Sequence, residues 1–284
     1  MAWKRPGVRI PLAPLLNSVM FLGETKFYSM ATSTNSQDFS LNGLRVLVTG
    51  GGSGIGKAIA DAMTHAGARV VVCDVNNSTK PNYVCDVSNS RDVDAMFAAI
   101  QRDLGGLDVL VNNVGVPGPT ARVDEMDADA YDECVRINLG GTFRCTKAAV
   151  PMLLKTRGSI INISTSAGIF GYPLRSPYVA AKWGIIGLTK SWAMELGADG
   201  VRCNAICPGS VSGPRMDGVI EREAAATGVS PQSIRTGYEN QVSMKTFIDA
   251  TDIAAAAVFL SSPAARFITG QVLPVDGNIE TMRA

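Results

Sequence analysis

Histidine is almost missing from this chain: of its 284 residues only His65 carries an imidazole. That leaves the Ser-His-Asp and Cys-His routes to acyl transfer without a base unless His65 itself serves. Its setting, Asp61-Ala62-Met63-Thr64-His65-Ala66-Gly67, reads as the exposed end of a helix and makes that role improbable. Zinc is disfavoured on the same ground. The six cysteines (Cys73, Cys85, Cys134, Cys145, Cys203, Cys207) form no Cys-x-x-Cys pair, and no matching cysteine or carboxylate cluster stands beside His65, so no metal is expected. Scattered through apolar segments, they predict buried thiols in a reducing compartment, the cytoplasm. A surplus of one charge is also missing, since a net charge of +1 gives no electrostatic footprint for nucleic acid or an anionic membrane. The apolar stretch from Leu15 to Leu22 is far shorter than the ~20 residues that span a bilayer.

What is present is the composition of a globular protein with a large core and many tight turns: 46% hydrophobic residues and 29 glycines. The first forty residues stand apart. Met1 to Met30 carries Lys4, Arg5, Arg9 and Lys26 against Glu24, with Pro6, Pro11 and Pro14 breaking any helix. The segment reads either as a targeting peptide or as an over-extended translation start with Met30 near the working initiator. We expect residues 1–40 to be a disordered or non-native extension, and residues 41–284 to form one domain.

From Leu44 onward apolar strands alternate with amphipathic helices. Strands are predicted at 45–49, 69–73, 107–111, 159–163, 201–206 and 271–275. Helices are predicted at 57–63, 92–104, 127–139, 142–155, around 218–226 and at 249–260, with one more carrying Tyr178. This alternation implies right-handed βαβ units, hence an α/β fold with a single doubly wound parallel sheet and helices on both faces.

Two local patterns carry chemistry. The first is the turn after the first strand, Thr49-Gly50-Gly51-Gly52-Ser53-Gly54-Ile55-Gly56. Its glycines let the backbone approach a pyrophosphate, and the helix that follows offers its first amides to the phosphate charge. Asp74 ends the second strand about 20 residues further on, where a carboxylate accepts hydrogen bonds from ribose hydroxyls and repels a 2′-phosphate. No basic residue directly follows Asp74 and Ser53 is not basic, so NAD(H) is preferred over NADP(H). The second pattern is Tyr178 and Lys182, one helical turn apart in Tyr178-Val-Ala-Ala-Lys182. A free phenol, with its pKa of about 10, must be shifted down to act near neutral pH, and an ammonium on the same helix face shifts it that way. Taken alone, the pair also fits an ordinary surface helix.

Together with Cys85-Asp86-Val87, Asn112-Asn113-Val114-Gly115, Asn138, the hydroxyl run Ser164-Thr165-Ser166, Pro208-Gly209 and Val275-Asp276-Gly277, these motifs make the chain from about Leu41 to Asn278 resemble the short-chain dehydrogenase/reductase family. The resemblance implies a Rossmann fold and a catalytic group of Asn138, Thr165, Tyr178 and Lys182. Tyr178 would exchange the proton, Lys182 would bind the nicotinamide ribose and lower the phenol's pKa, and Asn138 would hold a water. It also implies a cofactor site built from Gly50, Ser53, Gly54, Ile55, Gly56, Asp74, Asp86, Val87, Asn112, Val114, Gly115, Tyr178, Lys182, Pro208, Gly209 and Val211. Asp86 and Val87 would flank the adenine, and Asn112 would hold the strand and the ribose near the nicotinamide. Thr165 stands where the family usually has serine. Gly213 stands where it commonly has threonine, with Ser212 beside it as a possible substitute.

Side chains alternate along a strand, so Ser164 and Ser166 are expected to point away from Thr165 and to bond local backbone. A small helical substrate lid is expected over 214–247. Its Arg215, Arg222, Arg235, Tyr238 and Lys245 suit either an anionic substrate or a solvated helix face. Phe170, Tyr172, Leu174, Val116 and Pro117 are candidates for the pocket wall, and Trp183 and Trp192 for core or subunit packing. The function expected is hydride transfer between NAD(H) and a secondary alcohol or ketone, as a small-molecule dehydrogenase or carbonyl reductase. The alternative is a dinucleotide-binding regulatory or scaffold protein with little turnover. The family further implies a homotetramer or homodimer.

Overall fold

Seven parallel strands form one sheet in the order β3-β2-β1-β4-β5-β6-β7. They are β1 Arg45–Thr49, β2 Arg69–Asp74, β3 Tyr83–Val84, β4 Val109–Asn112, β5 Ser159–Ile163, β6 Arg202–Pro208 and β7 Val272–Val275. The computed structural model describes residues 39–279, so nearly all of the expected extension, residues 1–38, lies outside it. The central strands are apolar on both faces because helices cover both, as parallel sheets require. Alternation along β1 shows the two layers. Leu47 joins Phe97, Ile100, Leu110, Leu153, Ile160 and Trp192 under α2 (Ser90–Leu104), α4 (Gly141–Thr156) and α5 (Ser176–Leu196). Val46 and Val48 join Ile59, Met63, Val111, Ile161, Ile253 and Leu260 under α1 (Gly54–His65) and α8 (Ala250–Ser261).

The chain runs outward from β1 to β3 and then returns to place β4 on the other side of β1. The carboxyl ends of β1 and β4 therefore diverge at a topological switch point, where open α/β sheets bind ligands. The expected strands all form, with ends moved by up to two residues; the two-residue β3 was not expected.

The two helices expected at 127–139 and 142–155 are not separated. α3 (Ala128–Val135) passes through a π turn at Arg136–Gly140 directly into α4. Gly140 and Gly141, which read as a break, both keep helical dihedrals. A β-carbon on Gly141 would come within 2.6 Å of Val87, so a small residue there serves close packing. Lid segment 214–247 holds two helices, α6 (Pro214–Thr227) and α7 (Pro231–Asn240), the second of which was not expected. Ser230 caps α7 by accepting from Ser233 N, and Pro231 fills its first turn. His65 is exposed at the end of α1, its Nδ1 3.1 Å from Asp61 O. All six cysteines are buried and free.

Candidate active site

The glycine turn is held from the far side of the switch point. Asn113 Nδ2, just past β4, donates to Thr49 O at 3.0 Å and to Gly50 O at 3.1 Å. A β-carbon on Gly56 would stand 2.1 Å from Gly50 O, so only glycine lets α1 start this close to the turn. Ser53 precedes α1 without a side-chain cap, which leaves the first-turn amides available to an anion. Asp74 faces the same turn: its Oδ2 accepts from Gly52 N at 3.2 Å and its Oδ1 from Asn76 N at 3.0 Å. Asp86 accepts from both Ser88 N (2.9 Å) and Ser88 Oγ (2.6 Å). The Ser88 hydroxyl is the main reason its carboxyl lies below the usual range.

Asn112 departs from the expectation. Its amide is buried below the cleft, donating to Thr146 Oγ1 and to Asn162 Oδ1, both at 2.9 Å, so the side chain braces β4 against β5 and α4 instead of reaching a ribose. Val114 and Gly115 follow β4, and Pro208 ends β6 with Gly209 N on Val275 O at 3.0 Å. Val211 bridges Ile248 through the Ser212 amide and the Ser210 carbonyl, so its own N–H and C=O face the opposite way.

Tyr178 and Lys182 lie in the first two turns of α5. Lys182 is buried, with Nζ donating to Ile163 O at 2.8 Å and standing 5.8 Å from the Tyr178 ring centroid. Thr165 lies just past β5 in extended conformation, and its hydroxyl is among the groups that lower the Tyr178 phenol's pKa. Asn138 sits in the π turn, a feature often found at functional sites. Its Nδ2 donates to Cys134 O and Val116 O at 2.8 and 3.1 Å, and its buried Oδ1 has no protein partner. A β-carbon on Gly115 would come within 2.6 Å of Asn138 Oδ1 and 3.4 Å of Lys182 Nζ, so the two flank that glycine.

Burial pushes the Tyr178 phenol up. Lys182, then Arg215, Arg175 and the Thr165 hydroxyl outweigh it, and the pKa lies below its ordinary value. Burial likewise lowers the Lys182 ammonium, against the attraction of Tyr178.

The serines do not behave as expected. Ser164 Oγ donates to Lys182 O at 3.0 Å, 18 residues away. Extended geometry stops at Thr165, so Ser166 opens a 3₁₀ turn and shares Pro208 O with the Thr165 hydroxyl. It also reaches Asp276 Oδ2 at 3.2 Å.

Segment 214–247 packs Ile220, Ile234 and Tyr238 onto Tyr172, Met216 and Phe247. The Tyr172 and Tyr238 hydroxyls are hydrogen-bonded, and Tyr238 donates to Glu223 Oε2 at 2.6 Å. Of the lid cations, Arg235 is paired with Asp217 and lies over Phe247, and Lys245 donates to Asn240 O at 2.6 Å. Arg215 instead spans the cleft to Gly115 O at 3.0 Å.

Residues 50–278 match the family described as "Enoyl-(Acyl carrier protein) reductase". The chain is 38% identical over 245 residues to the L-fucose dehydrogenase of Bos taurus, covering 83% of this chain and 88% of that one. It is 34% identical over 251 residues to the 2,5-dichloro-2,5-cyclohexadiene-1,4-diol dehydrogenase of Sphingobium indicum, covering 84% and 97%. This protein belongs to the short-chain dehydrogenase/reductase family. Among solved structures, the NAD+-bound xylitol dehydrogenase superimposes on this family member with a TM-score of 0.80 at 29% identity, covering 84% of this chain and 99% of that one. The family match supports an oxidoreductase that uses a nicotinamide dinucleotide.

Where this dehydrogenase/reductase carries Gly213 in place of threonine, the backbone explains it: φ is +131°, a region closed to side-chain-bearing residues. Ser212 is exposed beside it. Two residues of the site escaped the sequence reading. Asn113 entered it only as a member of the Asn112-Asn113-Val114-Gly115 motif, with no role of its own. The only sequence signal of Arg175 is a charge three positions before Tyr178. Among the described residues no group of three or more His, Cys, Asp or Glu side chains is disposed to hold a metal, and no helix is long and apolar enough to cross a membrane.

Proposed function

We propose that this chain moves a hydride between NAD(H) and a secondary alcohol or ketone, with Tyr178 as the acid/base. The observation that carries the reading is the Tyr178 ring 5.8 Å from the buried Lys182 ammonium, with the Thr165 hydroxyl among the groups that lower the phenol's pKa. The residues present fit the dinucleotide. Gly50, Ser53, Gly54, Ile55, Gly56 and the uncapped amides of α1 would hold the pyrophosphate, Asp74 the adenosine ribose, and Asp86 with Val87 the adenine edge. Val114, Gly115, Pro208 and Gly209 would border the nicotinamide, the Val211 backbone its carboxamide, and Lys182 its ribose. When bound, the nicotinamide supplies the hydride chemistry.

The protein's own part is proton transfer and orientation. In the oxidation direction Tyr178, as phenolate, takes the alcohol proton while the Thr165 hydroxyl aligns the substrate oxygen. Lys182 stabilises the phenolate, and Asn138 Oδ1, buried beside Gly115 with no protein donor, suits a water linking Lys182 to solvent. In the reduction direction the phenol returns the proton. Preference for NAD(H) follows from Asp74, whose carboxylate faces the turn where a 2′-phosphate would sit. Exposed Phe143 on α4 and Trp183 on α5 support assembly into a homodimer or homotetramer, and the six buried free thiols suit the cytoplasm.

The test is Tyr178→Phe, assayed by NADH turnover on a panel of ketones, sugars and hydroxy acids and by NADH fluorescence titration. Turnover is expected to fall by roughly 10²- to 10⁴-fold, with NADH affinity nearly unchanged. Retained turnover refutes the assignment. Tight NADH binding by the wild type with no turnover on any substrate points instead to a dinucleotide-binding scaffold.

A further inference from the structure

Arg175 is the residue immediately before α5, three positions ahead of Tyr178. It is buried, only 4% exposed, yet it takes part in none of the ion pairs among the described residues. Its Nη2 donates to Pro117 O at 2.6 Å, and its Nε is buried without a protein acceptor. The guanidinium carbon stands 5.2 Å from the ring centroid of Tyr178 and 5.5 Å from that of Tyr172. The backbone holds this placement under constraint. Leu174 adopts a left-handed conformation, φ +63°, that a branched side chain takes only at a cost, and its carbonyl accepts from Ala121 N at 3.0 Å.

A guanidinium taken out of water without a carboxylate is strongly unfavourable unless another group answers its charge. Ring faces do so in part. Of the two rings it touches, Tyr172 is kept neutral, its phenol pushed up to about 12 by burial. Tyr178 is the ring whose oxygen becomes an anion. We propose that Arg175 is a positioning residue for the proton transfer: held between Tyr172 and Tyr178 and tied to Pro117 O, it fixes the Tyr178 ring and answers the charge of its phenolate. Tyr178 thus lies between a cation one turn before it and Lys182 one turn after it. The inference rests on the reading of Tyr178 as the acid/base.

The other groups facing Tyr178 are Lys182 on the same helix, Arg215 from α6, Tyr172 from the loop before α5 and the Thr165 hydroxyl past β5. Behind Lys182 stand the thiols of Cys134 on α3 and Cys207 on β6. Arg215 is exposed and its field is screened by solvent, whereas Arg175 acts from inside the protein.

The test needs neither substrate nor turnover. Protein labelled with ¹³C at the tyrosine ζ carbon gives ring signals that titrate with pH, and the signal lost in Tyr178→Phe identifies residue 178. In Arg175→Gln, which keeps a donor for Pro117 O but no charge, the midpoint of Tyr178 is expected to rise by about one pH unit. In Arg175→Lys it should return most of the way to the wild-type value. Tyr83, far off on the edge strand β3, reports the fold and should titrate alike in all variants; Arg175→Met serves as a second neutral variant should the Gln protein fail that check. A Tyr178 midpoint unmoved in a folded neutral variant overturns the proposal. Full turnover in Tyr178→Phe would instead refute the acid/base reading, and the titration would still report whether Arg175 acts on the ring.

Discussion

Asp74→Asn isolates the charge by which this site would choose between the two nicotinamide dinucleotides. Asp74 already accepts two backbone hydrogen bonds, from Gly52 N at 3.2 Å through Oδ2 and from Asn76 N at 3.0 Å through Oδ1. Asparagine keeps one of the two acceptors and nearly the same volume, so one of the two turn bonds survives while the charge goes. Replacing a charge-assisted bond to the ribose hydroxyls by a neutral one weakens NADH binding by about 1 kcal/mol, or roughly fivefold. For NADPH the sign reverses. A 2′-phosphate would carry a charge of about −1.5 to −2 and lie roughly 5 Å from the carboxylate, and at an effective dielectric near 40 the repulsion is about 2 to 3 kcal/mol. The two effects add, so the ratio of NADH to NADPH dissociation constants should change by roughly 10²- to 10³-fold toward NADPH, less at high salt. Fluorescence titration with each reduced cofactor measures both constants without a substrate. Asp74→Ala is the control: it also removes the acceptor for Gly52 N and should weaken both cofactors. A ratio unchanged between wild type and Asp74→Asn would refute the reasoning, because it would mean that no charge discrimination takes place at this residue.

With the Tyr178 pKa held below its ordinary value by Lys182, Arg215 and Arg175 against burial, the initial rate of alcohol oxidation should rise with pH through that pKa and then level. Carbonyl reduction should fall over the same interval, and a limb at or above the free-phenol value of about 10 in both directions would contradict the assignment. Lys182→Met should move the oxidation limb to higher pH, read from initial rates across the pH range. Asn162 is fully buried between Asn112 Nδ2 and Thr189 Oγ1, each at 2.9 Å, so Asn162→Ala should cost about 2 to 4 kcal/mol in urea unfolding through lost hydrogen bonds and a cavity.

The fold was legible because its strands are buried on both faces and read as apolar runs, and because glycines and caps punctuate the helices between them. The pair Tyr178 and Lys182 was legible because four residues of helix bring two side chains to one face. Arg175 and Asn113 were not, since their meaning lies in partners 58 residues away at Pro117 and 64 away at Thr49. Asn112 was misplaced for a related reason. The strand's end was clear, but whether its amide turns toward the cleft or into the sheet depends on Asn162, which no local pattern reveals. The α3–α4 junction failed because two glycines are ambiguous in sequence: they break a helix or let it pack closely, and here Val87 decides. In α7 only two of ten residues are buried, so no apolar periodicity marks it, although Ser230 and Pro231 do signal its start.

The loop after β4 ties these parts together. Gly115, Val116 and Pro117 lie outside the regular secondary structure, so their carbonyls have no ladder partners, and each takes an N–H from a different element. Arg215 of α6 reaches Gly115 O at 3.0 Å, Asn138 of the π turn reaches Val116 O at 3.1 Å, and Arg175 ahead of α5 reaches Pro117 O at 2.6 Å. The three bonds are unequal. Asn138 and Arg175 are buried, so breaking either strands a desolvated group, whereas exposed Arg215 exchanges its bond for one to water at a cost of about 1 kcal/mol. The first two therefore fix the loop to the base, and the third is the weakest of the three. Arg215 is also among the cations that lower the Tyr178 pKa.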